Sequence, residues 1–539
     1  MSVGGAETVW NAFRAAAERA PERPFLQVLP ETAAAYGIEA GDISYGAMRD
    51  WAMRLADGYA AAGLAPGARA LVLLENRPAF LAHWLALNAL GATIVPVNPD
   101  LRGGELRHMA ALAEPVIAVA IPARMADLRA AGEEAGAPFP VIGPDDAPPP
   151  LAPPEVAEAA SPLGREAAML FTSGTTGAPK GCRLSNDYFL EAGRWYAGAG
   201  GACALAEGDR MLTPLPVFHM NAMAYSVMAM IAVRGRLTLL DRFHPSTWWD
   251  SVRASEATCL HYLGVMPPML MGAPPSPADR DHAVRFGFGA GVPPELHIPF
   301  EERFGFPLVE AWAMTETGAG AVICASREPR RPGTASLGSP GPELEIRIER
   351  EDGSEAGPDE PGELLVRRAG DDPRRGFFTD YWKQPEETER VWAGGWFHTG
   401  DMVRRSKTGD IVFVDRKKNV IRRSGENIAA VEVEAALLRC PEVRSAAVAA
   451  APDPVRGDEV FALIVPEGSG DARKAERIAR WMLGELAYYK APGWIAFADA
   501  LPVTATQKIQ RGALRGIVEA RMAEGSAHDL RAMKKRSAA

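Results

Sequence analysis

Runs of apolar and polar residues in the first part of the chain predict strands that are joined by helices. The segment "ARALVLLEN" (68–76) is typical of a buried strand, and apolar residues recur at helical spacing in "RPAFLAHWLALNALGA" (77–92). The next predicted strand is "TIVPVN" (93–98). A strand, a helix and a strand with short joints predict a right-handed βαβ unit within a parallel sheet.

The pattern continues toward the middle of the chain. Two further strands are predicted at "PVIAVAI" (115–121) and "RLTLLDRF" (236–243). The apolar run "AMAYSVMAMIAV" (222–233) is shorter than the about 20 residues that cross a bilayer, so we expect a buried helix there. The proline- and alanine-rich stretch 137–163 predicts a surface connection.

Near residue 342 the pattern changes. The segment "ELEIRIERE" (343–351) alternates polar and apolar residues, as a half-exposed strand does. A helix candidate at 431–440 is followed by two strand candidates, 445–453 and 460–467. We therefore expect a β-rich subdomain and then a compact α+β unit.

Composition narrows the class of protein. The chain has 539 residues, which suggests about three or four domain-sized units, and its hydrophobic (47%) and charged (23%) fractions are ordinary for a globular protein. The net charge of −10 argues against nucleic acid as the main partner, because phosphate backbones bind basic surfaces.

Cysteine spacing and the N-terminal sequence restrict the class of protein further. The five cysteines are scattered without metal-ligand spacing, so neither a disulfide framework nor a zinc site is predicted. The sequence contains neither a signal-peptide pattern nor an apolar run long enough for an integral membrane segment, and we expect a cytoplasmic protein. An oligomer is compatible with the sequence.

The segment "FTSGTTGAPKG" (171–181) groups small and hydroxyl residues around one lysine. Successive glycines let backbone N–H groups converge on an anion, and the hydroxyls and Lys180 add donors and charge. The spacing excludes a Walker A loop, which needs Gly, four residues and then Gly-Lys-Ser/Thr. The alternative is a flexible surface loop.

This segment resembles the phosphate-binding loop of the adenylate-forming superfamily, which includes acyl-CoA synthetases, luciferases and peptide-synthetase adenylation domains. Four further stretches resemble that superfamily's motifs in the right order, and the resemblance covers about residues 8–520. It implies that the loop cradles the phosphates that leave as pyrophosphate. The implied phosphate-binding residues are Thr172, Ser173, Gly174, Thr175, Thr176, Gly177 and Lys180.

The segment "EAWAMTETG" (310–318) resembles the adenine and α-phosphate motif. The resemblance places Glu310 in the nucleotide site and Trp312 on the adenine ring, assigns Thr315 to the α-phosphate, and makes Glu316 the ligand of Mg²⁺. Independently, a carboxylate beside phosphate-binding donors calls for a cation between them. A lone tryptophan, by contrast, is typical of core packing.

The segment "GWFHTGD" (395–401) resembles the ribose motif, in which Asp401 accepts hydrogen bonds from the ribose hydroxyls and Arg416 supports the same sugar. Taken alone, Asp401 would also suit a solvated turn. The segment "FGFGAGVPPEL" (286–296) resembles the strand end that lines adenine and the acyl group. Its implied contacts are Gly289, Ala290 and Gly291.

The segment "LPVTATQKIQRGALR" (501–515) resembles the motif that carries the catalytic lysine, here Lys508. The resemblance implies that Lys508 lies between the incoming carboxylate and the α-phosphate. Gln507 stands where glycine is usual, as Ala313 does in the adenine motif. An isolated lysine near a C-terminus would be read as a solvated charge.

The resemblance also implies the domain organisation. It predicts an α/β fold with a large N-terminal AMP-binding domain (1–416) of βαβ-type sheets, a β-rich subdomain at about 342–415, and a small mobile α+β lid domain (417–539). Lys418 occupies the hinge position. After rotation of the lid, Gly425 is implied to be the point where backbone meets pantetheine.

The implied function is that of an ATP-dependent acid:CoA ligase that uses ATP, Mg²⁺ and coenzyme A. A carboxylic acid is adenylated with release of pyrophosphate, and the acyl group then passes to CoA. Two alternatives are an acyl-AMP ligase that loads a carrier-protein pantetheine and a non-catalytic nucleotide-binding relative.

The acid itself is the least specified partner. "PLPVFHMNAMAY" (214–225) is expected to enter the acyl pocket with His219 near its mouth, either as a catalytic residue or as a satisfied core histidine. This stretch lacks the aspartate with which amino-acid-adenylating members bind the substrate amine. Other strings resemble the carnitine/crotonobetaine-CoA ligase branch, and a betaine-like acid would favour an aromatic box. Trp248, Trp249 and Tyr225 are the candidates, although adjacent tryptophans are also typical of helix packing.

Overall fold

The structure is a computed structural model that describes residues 6–152, 161–172, 179–350, 352–416, 420–502 and 511–534. Residues 6–416 of these ranges are called the large part below, and residues 420–534 the C-terminal part.

Strands of both parts alternate with helices along much of the chain. In the large part, the strands are β1 (Pro24–Val28), β2 (Gly41–Ser44), β3 (Arg69–Leu73), β4 (Thr93–Pro96), β5 (Ile117–Ala120), β6 (Val141–Ile142), β7 (Glu166–Thr172), β8 (Lys180–Ser185), β9 (Arg210–Thr213), β10 (Arg236–Leu239), β11 (Cys259–Leu263), β12 (Phe286–Ala290), β13 (Leu308–Trp312), β14 (Ile323–Cys324), β15 (Leu344–Glu349), β16 (Pro361–Arg368), β17 (Asp380–Tyr381), β18 (Phe397–Arg405) and β19 (Ile411–Arg416). In the C-terminal part, they are β20 (Val420–Arg423), β21 (Glu426–Ala429), β22 (Val443–Asp453), β23 (Gly457–Pro466), β24 (Trp494–Phe497) and β25 (His528–Asp529).

The α-helices connect and cover these strands. They are α1 (Val9–Arg19), α2 (Pro30–Tyr36), α3 (Tyr45–Ala61), α4 (Pro78–Ala89), α5 (Gly103–Ala113), α6 (Met125–Glu134), α7 (Asn186–Gly198), α8 (Met228–Val233), α9 (Trp248–Ala254), α10 (Met266–Met271), α11 (Pro294–Phe304), α12 (Pro385–Val391), α13 (Ala430–Leu437), α14 (Ala472–Glu485) and α15 (Arg511–Ala523).

The predicted βαβ unit is present as β3, α4 and β4, and the two strands are parallel neighbours. They belong to a sheet of order β17-β8-β7-β4-β3-β5-β6, in which β8 and β17 are antiparallel additions at one edge. Helix α4 is buried along nearly its whole length, including His83 and Asn88. The backbone N–H of Trp10 donates to the Asn88 side chain at 2.8 Å, so this helix is enclosed by neighbouring elements instead of presenting one face to solvent.

A second sheet has the order β14-β13-β12-β11-β9-β10-β1-β2 and is parallel from β13 to β1. Its strands β12 and β13 end at Ala290 and Trp312. Because parallel strands present their carboxyl ends at one edge of a sheet, two of the predicted motifs lie side by side there.

The third sheet of the large part is antiparallel, with the order β15-β16-β18-β19. It places Asp401 of β18 opposite Arg416 of β19. This sheet falls within the stretch expected to be β-rich, while the proposed boundary between residues 416 and 417 stays a prediction.

The apolar run 222–233 forms a helix, as expected, but its first half is a π-helix over Asn221–Val227 that continues into α8. π-Helical turns widen a helix locally and occur frequently at functional sites. His219 lies immediately before this turn.

The C-terminal part has its own sheet of order β21-β20-β23-β24-β25, with β22 paired to β23. An apolar core of its own lies beneath it, including Ile421, Val448, Ile464, Ile478 and Ile495. Over the ranges that the structure covers, no helix is both long and apolar enough to cross a membrane.

Candidate functional site

The end of β7 and the turn after β13 meet at Glu316. The hydroxyl of Thr172 lies 3.4 Å from Oε1 of Glu316, and the hydroxyl of Tyr381 donates to the same oxygen at 2.9 Å. The Glu316 carboxylate is buried. The phosphate-loop motif and the acidic motif, 144 residues apart in sequence, are therefore adjacent in space. The predicted phosphate-binding residues between them lie outside the described residues. They are Ser173, Gly174, Thr175, Thr176 and Gly177.

Lys180 begins β8, and its side chain is buried. Its ammonium group pairs with the carboxylate of Glu387 and lies 4.7 Å from the centroid of the Tyr381 ring. Hydrogen bonds from Arg390 and then from Lys180 hold the pKa of Glu387 down at about 2. The lysine predicted to bind phosphate thus already has an anionic partner, which sequence reasoning did not identify.

Trp312 and Asp401, predicted to contact adenine and ribose, are joined directly. The indole N–H of Trp312 donates to Oδ2 of Asp401 at 2.8 Å, and both side chains are buried. The backbone N–H of Asp401 donates to the Thr399 hydroxyl at 3.0 Å. Asp401 is therefore not in a solvated turn. The backbone of Arg416 pairs with it across β18 and β19.

Thr315 lies in the turn between Trp312 and Glu316, where the hydroxyl of Tyr188 donates to its carbonyl oxygen at 2.9 Å. Burial raises the pKa of Tyr188 well above its ordinary value, so this hydroxyl remains a donor at neutral pH. The contact fixes the main chain of the turn that carries Thr315.

Glu310, predicted to belong to the nucleotide site, is hydrogen-bonded to the turn that follows β12. Its carboxylate accepts hydrogen bonds from the backbone N–H groups of Gly291 (2.9 Å) and Val292 (3.1 Å) and from the hydroxyl of Tyr262 (2.8 Å). These donors lie within the protein, so Glu310 shapes the turn that follows β12. Burial nevertheless raises the pKa of this carboxyl group.

The predicted contacts Gly289, Ala290 and Gly291 lie in that turn and at the strand end before it. A Cβ at Gly289 would collide with the carbonyl oxygen of Tyr262, and Gly291 has a φ of 87°. A side chain is therefore sterically excluded at the first position and strained at the third. The exposed backbone can approach a bound ligand closely.

His219 is not a core histidine, because 44% of its side chain is exposed. Its Nε2 lies 3.5 Å from Oε2 of Glu426, which belongs to the C-terminal part. The pair spans the two parts of the chain at the mouth expected for the acyl pocket. Sequence spacing gave no signal for Glu426, since 207 residues separate it from His219.

A cavity of about 190 Å³ lies between the two parts beside this pair. Gly425, with a φ of 89°, turns the chain so closely against Leu263 that a Cβ there would collide with it. The position predicted to meet pantetheine therefore forms a wall of a cavity that both parts of the chain enclose. Its lining includes Asn76, Phe218, His219, Leu263, Gly425 and Tyr489.

The aromatic residues considered for a betaine box do not form one. The Trp249 ring stacks on Phe304 at 4.5 Å and on His282 at 5.4 Å, while Trp248 is buried in the same aromatic cluster. Tyr225 belongs to the separate main core and donates its hydroxyl to the carbonyl oxygen of Gly318 at 2.9 Å. The tryptophan pair therefore serves helix packing.

A magnesium ion would find oxygen ligands at Glu316 and Thr172, which are the ligand types that this hard cation prefers. In the described ranges, no group of three or more His, Cys, Asp or Glu side chains is suited to hold a metal by itself. A site of this kind fits a cation that is also bound by substrate phosphates. The predicted catalytic lysine, Lys508, and the predicted hinge residue, Lys418, lie outside the described residues.

Comparison with protein families gives two matches. Residues 13–378 match the family described as AMP-binding enzyme, and residues 432–508 match the family described as AMP-binding enzyme C-terminal domain. Together they span most of the chain.

Two curated relatives extend over almost the same length. A sulfoacetate–CoA ligase of Cupriavidus necator is 32% identical over 503 residues, covering 91% of this chain and 94% of the relative. A crotonobetaine/carnitine–CoA ligase of Salmonella arizonae is 28% identical over 508 residues, covering 89% and 95%.

Among solved structures, a double mutant of the o-succinylbenzoate CoA synthetase of Bacillus subtilis superposes with a TM-score of 0.80. It shares 24% sequence identity, and the superposition covers 94% of this chain and 98% of that chain. At this identity the similarity bears on the fold.

Proposed function

The chain belongs to the AMP-binding enzyme family and is an AMP-forming acyl-CoA synthetase, and we propose on this premise how its residues divide the reaction between them. It uses ATP, Mg²⁺ and CoA to convert a carboxylic acid to its CoA thioester. The observation that best supports the residue roles is the meeting of Thr172 with Glu316 and of Trp312 with Asp401.

In the first half-reaction the carboxylate of the acid attacks the α-phosphorus of ATP, and pyrophosphate leaves. We assign the loop residues 172–177 and Lys180 to the β- and γ-phosphates. For this role Lys180 exchanges its partner Glu387 for phosphate, and Glu387 keeps Arg390 as a partner. Thr315 faces the α-phosphate in this assignment.

The base and sugar of the nucleotide are assigned to the edge where β12 and β13 end. Trp312 packs against adenine, and Asp401 and Arg416 hold the ribose. The bare backbone at Gly289, Ala290 and Gly291 borders both adenine and the acyl group. Glu310 holds the turn after β12 that borders the nucleotide in this assignment.

Glu316 would hold Mg²⁺, which would supply positive charge to offset the phosphate charge that develops as pyrophosphate departs. We assign to Lys508 the role of the cation that lies between the incoming carboxylate and the α-phosphate. Preorganised donors of this kind stabilise the transition state because they need little reorganisation when the charge moves.

In the second half-reaction, the thiol of CoA attacks the acyl carbon of the adenylate, a C–S bond forms, and AMP leaves with the electrons of the C–O bond. We assign the cavity between the two parts to the pantetheine arm, with Gly425 against it. We assign to His219, which lies next to Glu426, the acceptance of the proton that the thiol loses.

The proposal includes the domain division at residues 416 and 417, a hinge at Lys418 and a lid formed by residues 417–539. Alternation of the lid separates the two half-reactions in one pocket. The cytoplasm, where ATP and CoA are available, remains the predicted location.

The deciding experiment assays a panel of carboxylic acids for AMP release with and without CoA. The panel includes sulfonated, quaternary-ammonium, dicarboxylic and aromatic acids, because the relatives are named for quite different acids. We expect one acid class to give CoA-dependent AMP release and a thioester detectable by mass. Adenylate formation without transfer to CoA would favour the carrier-protein alternative, and no turnover with any acid would favour a non-catalytic relative.

A further inference from the structure

Three charged side chains are buried together behind one wall of the cavity between the two parts. The Nε of Arg423 donates to the carboxylate of Glu459 at 2.8 Å, and the ammonium group of Lys534 contacts the other oxygen of the same carboxylate. All three are almost completely inaccessible to solvent. They belong to β20, β23 and the segment after β25, so this cluster joins three separate pieces of the C-terminal part.

Each cation in this cluster is connected to a residue that lines the cavity, either along the chain or by a hydrogen bond. Arg423 directly precedes the Ser424–Gly425 turn that lines the cavity. Lys534 also donates to the carbonyl oxygen of Tyr489 at 3.2 Å, and Tyr489 lines the same cavity. Glu459 therefore connects, through two cations, the two segments of the C-terminal part that form this wall.

The wall is also joined to the large part. The amide of Asn98 donates to the hydroxyl of Tyr489 at 2.9 Å, and both residues are buried. A displacement of the Tyr489 main chain would therefore change the width of the cavity as well as this contact between the two parts.

The charges suit a tether better than a source of stability. Burial, and then repulsion by Arg423, lowers the pKa of Lys534 to about 7, since two cations share one carboxylate. Buried charge groups of this kind contribute little net stability but are costly to leave half-paired, so they favour one geometry over others. Lys534 lies beyond residues 432–508, the stretch that matches the family of C-terminal domains.

We propose that Glu459 is a positioning residue for the CoA step and that Lys534, in the C-terminal tail, is the tether through which it holds the Tyr489 side of the pantetheine wall. The inference rests on the proposed function of the cavity. It assigns to the tail a role in thioester formation and none in adenylation.

The test compares Lys534→Met with Lys474→Met. Both lysines are buried in the C-terminal part, but Lys474 bonds the carbonyl oxygen of Glu467 and has no contact with Glu459 among the described residues. Lys534→Met leaves Glu459 paired with Arg423, so the core keeps a balanced pair. We expect the KM for CoA to rise about tenfold, equivalent to about 1.4 kcal/mol, in Lys534→Met only.

Acid-dependent ATP–pyrophosphate exchange is measured on the same preparations and should match the wild type in both variants. Lys534→Arg, which retains the cation and its donors, should restore much of the CoA affinity. If Lys534→Met does not fold, Lys534→Leu, which also lacks a donor, carries the same comparison.

An unchanged KM for CoA in folded Lys534→Met, or a loss of exchange as large as the loss of thioester formation, would overturn the tether while the ligase function stood. A wild-type protein that forms acyl-adenylate but no CoA thioester would refute the proposed use of the cavity, and the tether with it. The wild-type control thus separates the two failures.

Discussion

Two buried carboxylates of the nucleotide site and two buried carboxylates of the C-terminal part have different kinds of hydrogen-bond partner. In the nucleotide site of the large part, Glu316 accepts hydrogen bonds from hydroxyl groups. Glu310 accepts them from backbone N–H groups and from one hydroxyl group. In the C-terminal part, Glu459 pairs with Arg423 and Lys534, and Glu432 accepts a hydrogen bond from the ammonium group of Lys490 at 2.8 Å. Neutral donors bring no countercharge to a carboxylate, whereas a carboxylate paired with cations is already neutralised and serves to hold segments together.

One charged contact of this kind joins the two parts of the chain. Lys490 of the C-terminal part also donates to Glu105 of α5 at 2.6 Å, and the other oxygen of Glu105 accepts the backbone N–H of Ala487 at 2.9 Å. Although burial works against the ammonium form, Glu432 and Glu105 together raise the pKa of Lys490. The orientation in which Gly425 meets Leu263 is therefore accompanied by a charged contact between the two parts.

The largest expected effect tests whether the C-terminal part supplies the cation that the nucleotide site needs. Lys508→Ala should lower acid-dependent ATP–pyrophosphate exchange by about 10²–10³-fold, because a positioned charge at the transition state is lost. Thioester formation from supplied acyl-adenylate should persist. Lys407→Ala, in an exposed turn of the large part, is the control. Exchange at the wild-type rate in Lys508→Ala would remove Lys508 from the mechanism.

The next effect concerns the joint between the two parts. Lys418→Pro fixes φ near −65° at the proposed hinge, so the lid should keep its adenylating orientation. We expect exchange to be retained and CoA transfer to fall by roughly 100-fold, as measured in single-turnover assays. Lys418→Ala, which leaves φ free, should transfer normally. Equal losses of both steps would reject the hinge.

A smaller effect is expected at the charged contact between the parts. Glu105→Gln removes one carboxylate while Lys490 keeps Glu432, so the docked orientation should be weakened rather than abolished. Thioester formation should slow roughly tenfold, about 1.4 kcal/mol, with exchange unchanged. Glu133→Gln, on the exposed surface of the neighbouring helix α6, is the matched control. A change in exchange instead of transfer would contradict the role of this contact.

A further effect, on stability and not on turnover, separates the parts by their response to acid. His261 of the large part is buried among neutral groups, with Ser226 Oγ at 2.8 Å, Asn221 Oδ1 at 3.1 Å and the Tyr196 hydroxyl at 3.0 Å. Burial lowers the pKa of His261 from 6.5 to about 3. The unfolded chain therefore binds an extra proton between these values, and the free energy of unfolding falls as the pH drops through that window, by about 1.4 kcal/mol per pH unit.

His261→Gln should flatten this slope, as measured by denaturant unfolding between pH 7 and pH 5 (the window in which roughly 2 kcal/mol is at stake). His83, whose pKa burial lowers to about 4, should retain a similar slope of its own. His528→Gln in the C-terminal part is the control. A slope in His261→Gln equal to that of the wild type would show that His261 is not buried neutral.

Much of the fold follows from local patterns, because periodicity and short joints restrict the topology to a few possibilities. The unit β3–α4–β4 and the strands β5 and β10 correspond to runs that are visible in the sequence. The π-helical turn at Asn221–Val227 left no mark in the pattern, since its apolar residues would suit an α-helix equally well.

The site was only partly predictable. Motifs in the right order indicated that Thr172, Glu316, Trp312 and Asp401 share one function, and three-dimensional contacts join them in pairs. The hydrogen bonds of Glu310 to Gly291 and Val292 were not predictable, because a motif does not reveal which backbone groups a carboxylate accepts from. Partners such as Glu387 and Glu426 carry no spacing signal, because their distance in sequence is unrelated to their distance in space.

The sequence by itself determined the class of fold, the family and the overall reaction, because those depend on residue types at short, fixed spacing within each motif. Only the tertiary structure decided which charges are paired, which carboxylates accept hydrogen bonds from neutral donors and which residues of the C-terminal part line the cavity. Charge pairing in a low-dielectric interior depends on distances of a few ångströms between segments hundreds of residues apart. Such distances are set by the packing of whole sheets, as the contact of Lys490 with Glu105 across 385 residues illustrates.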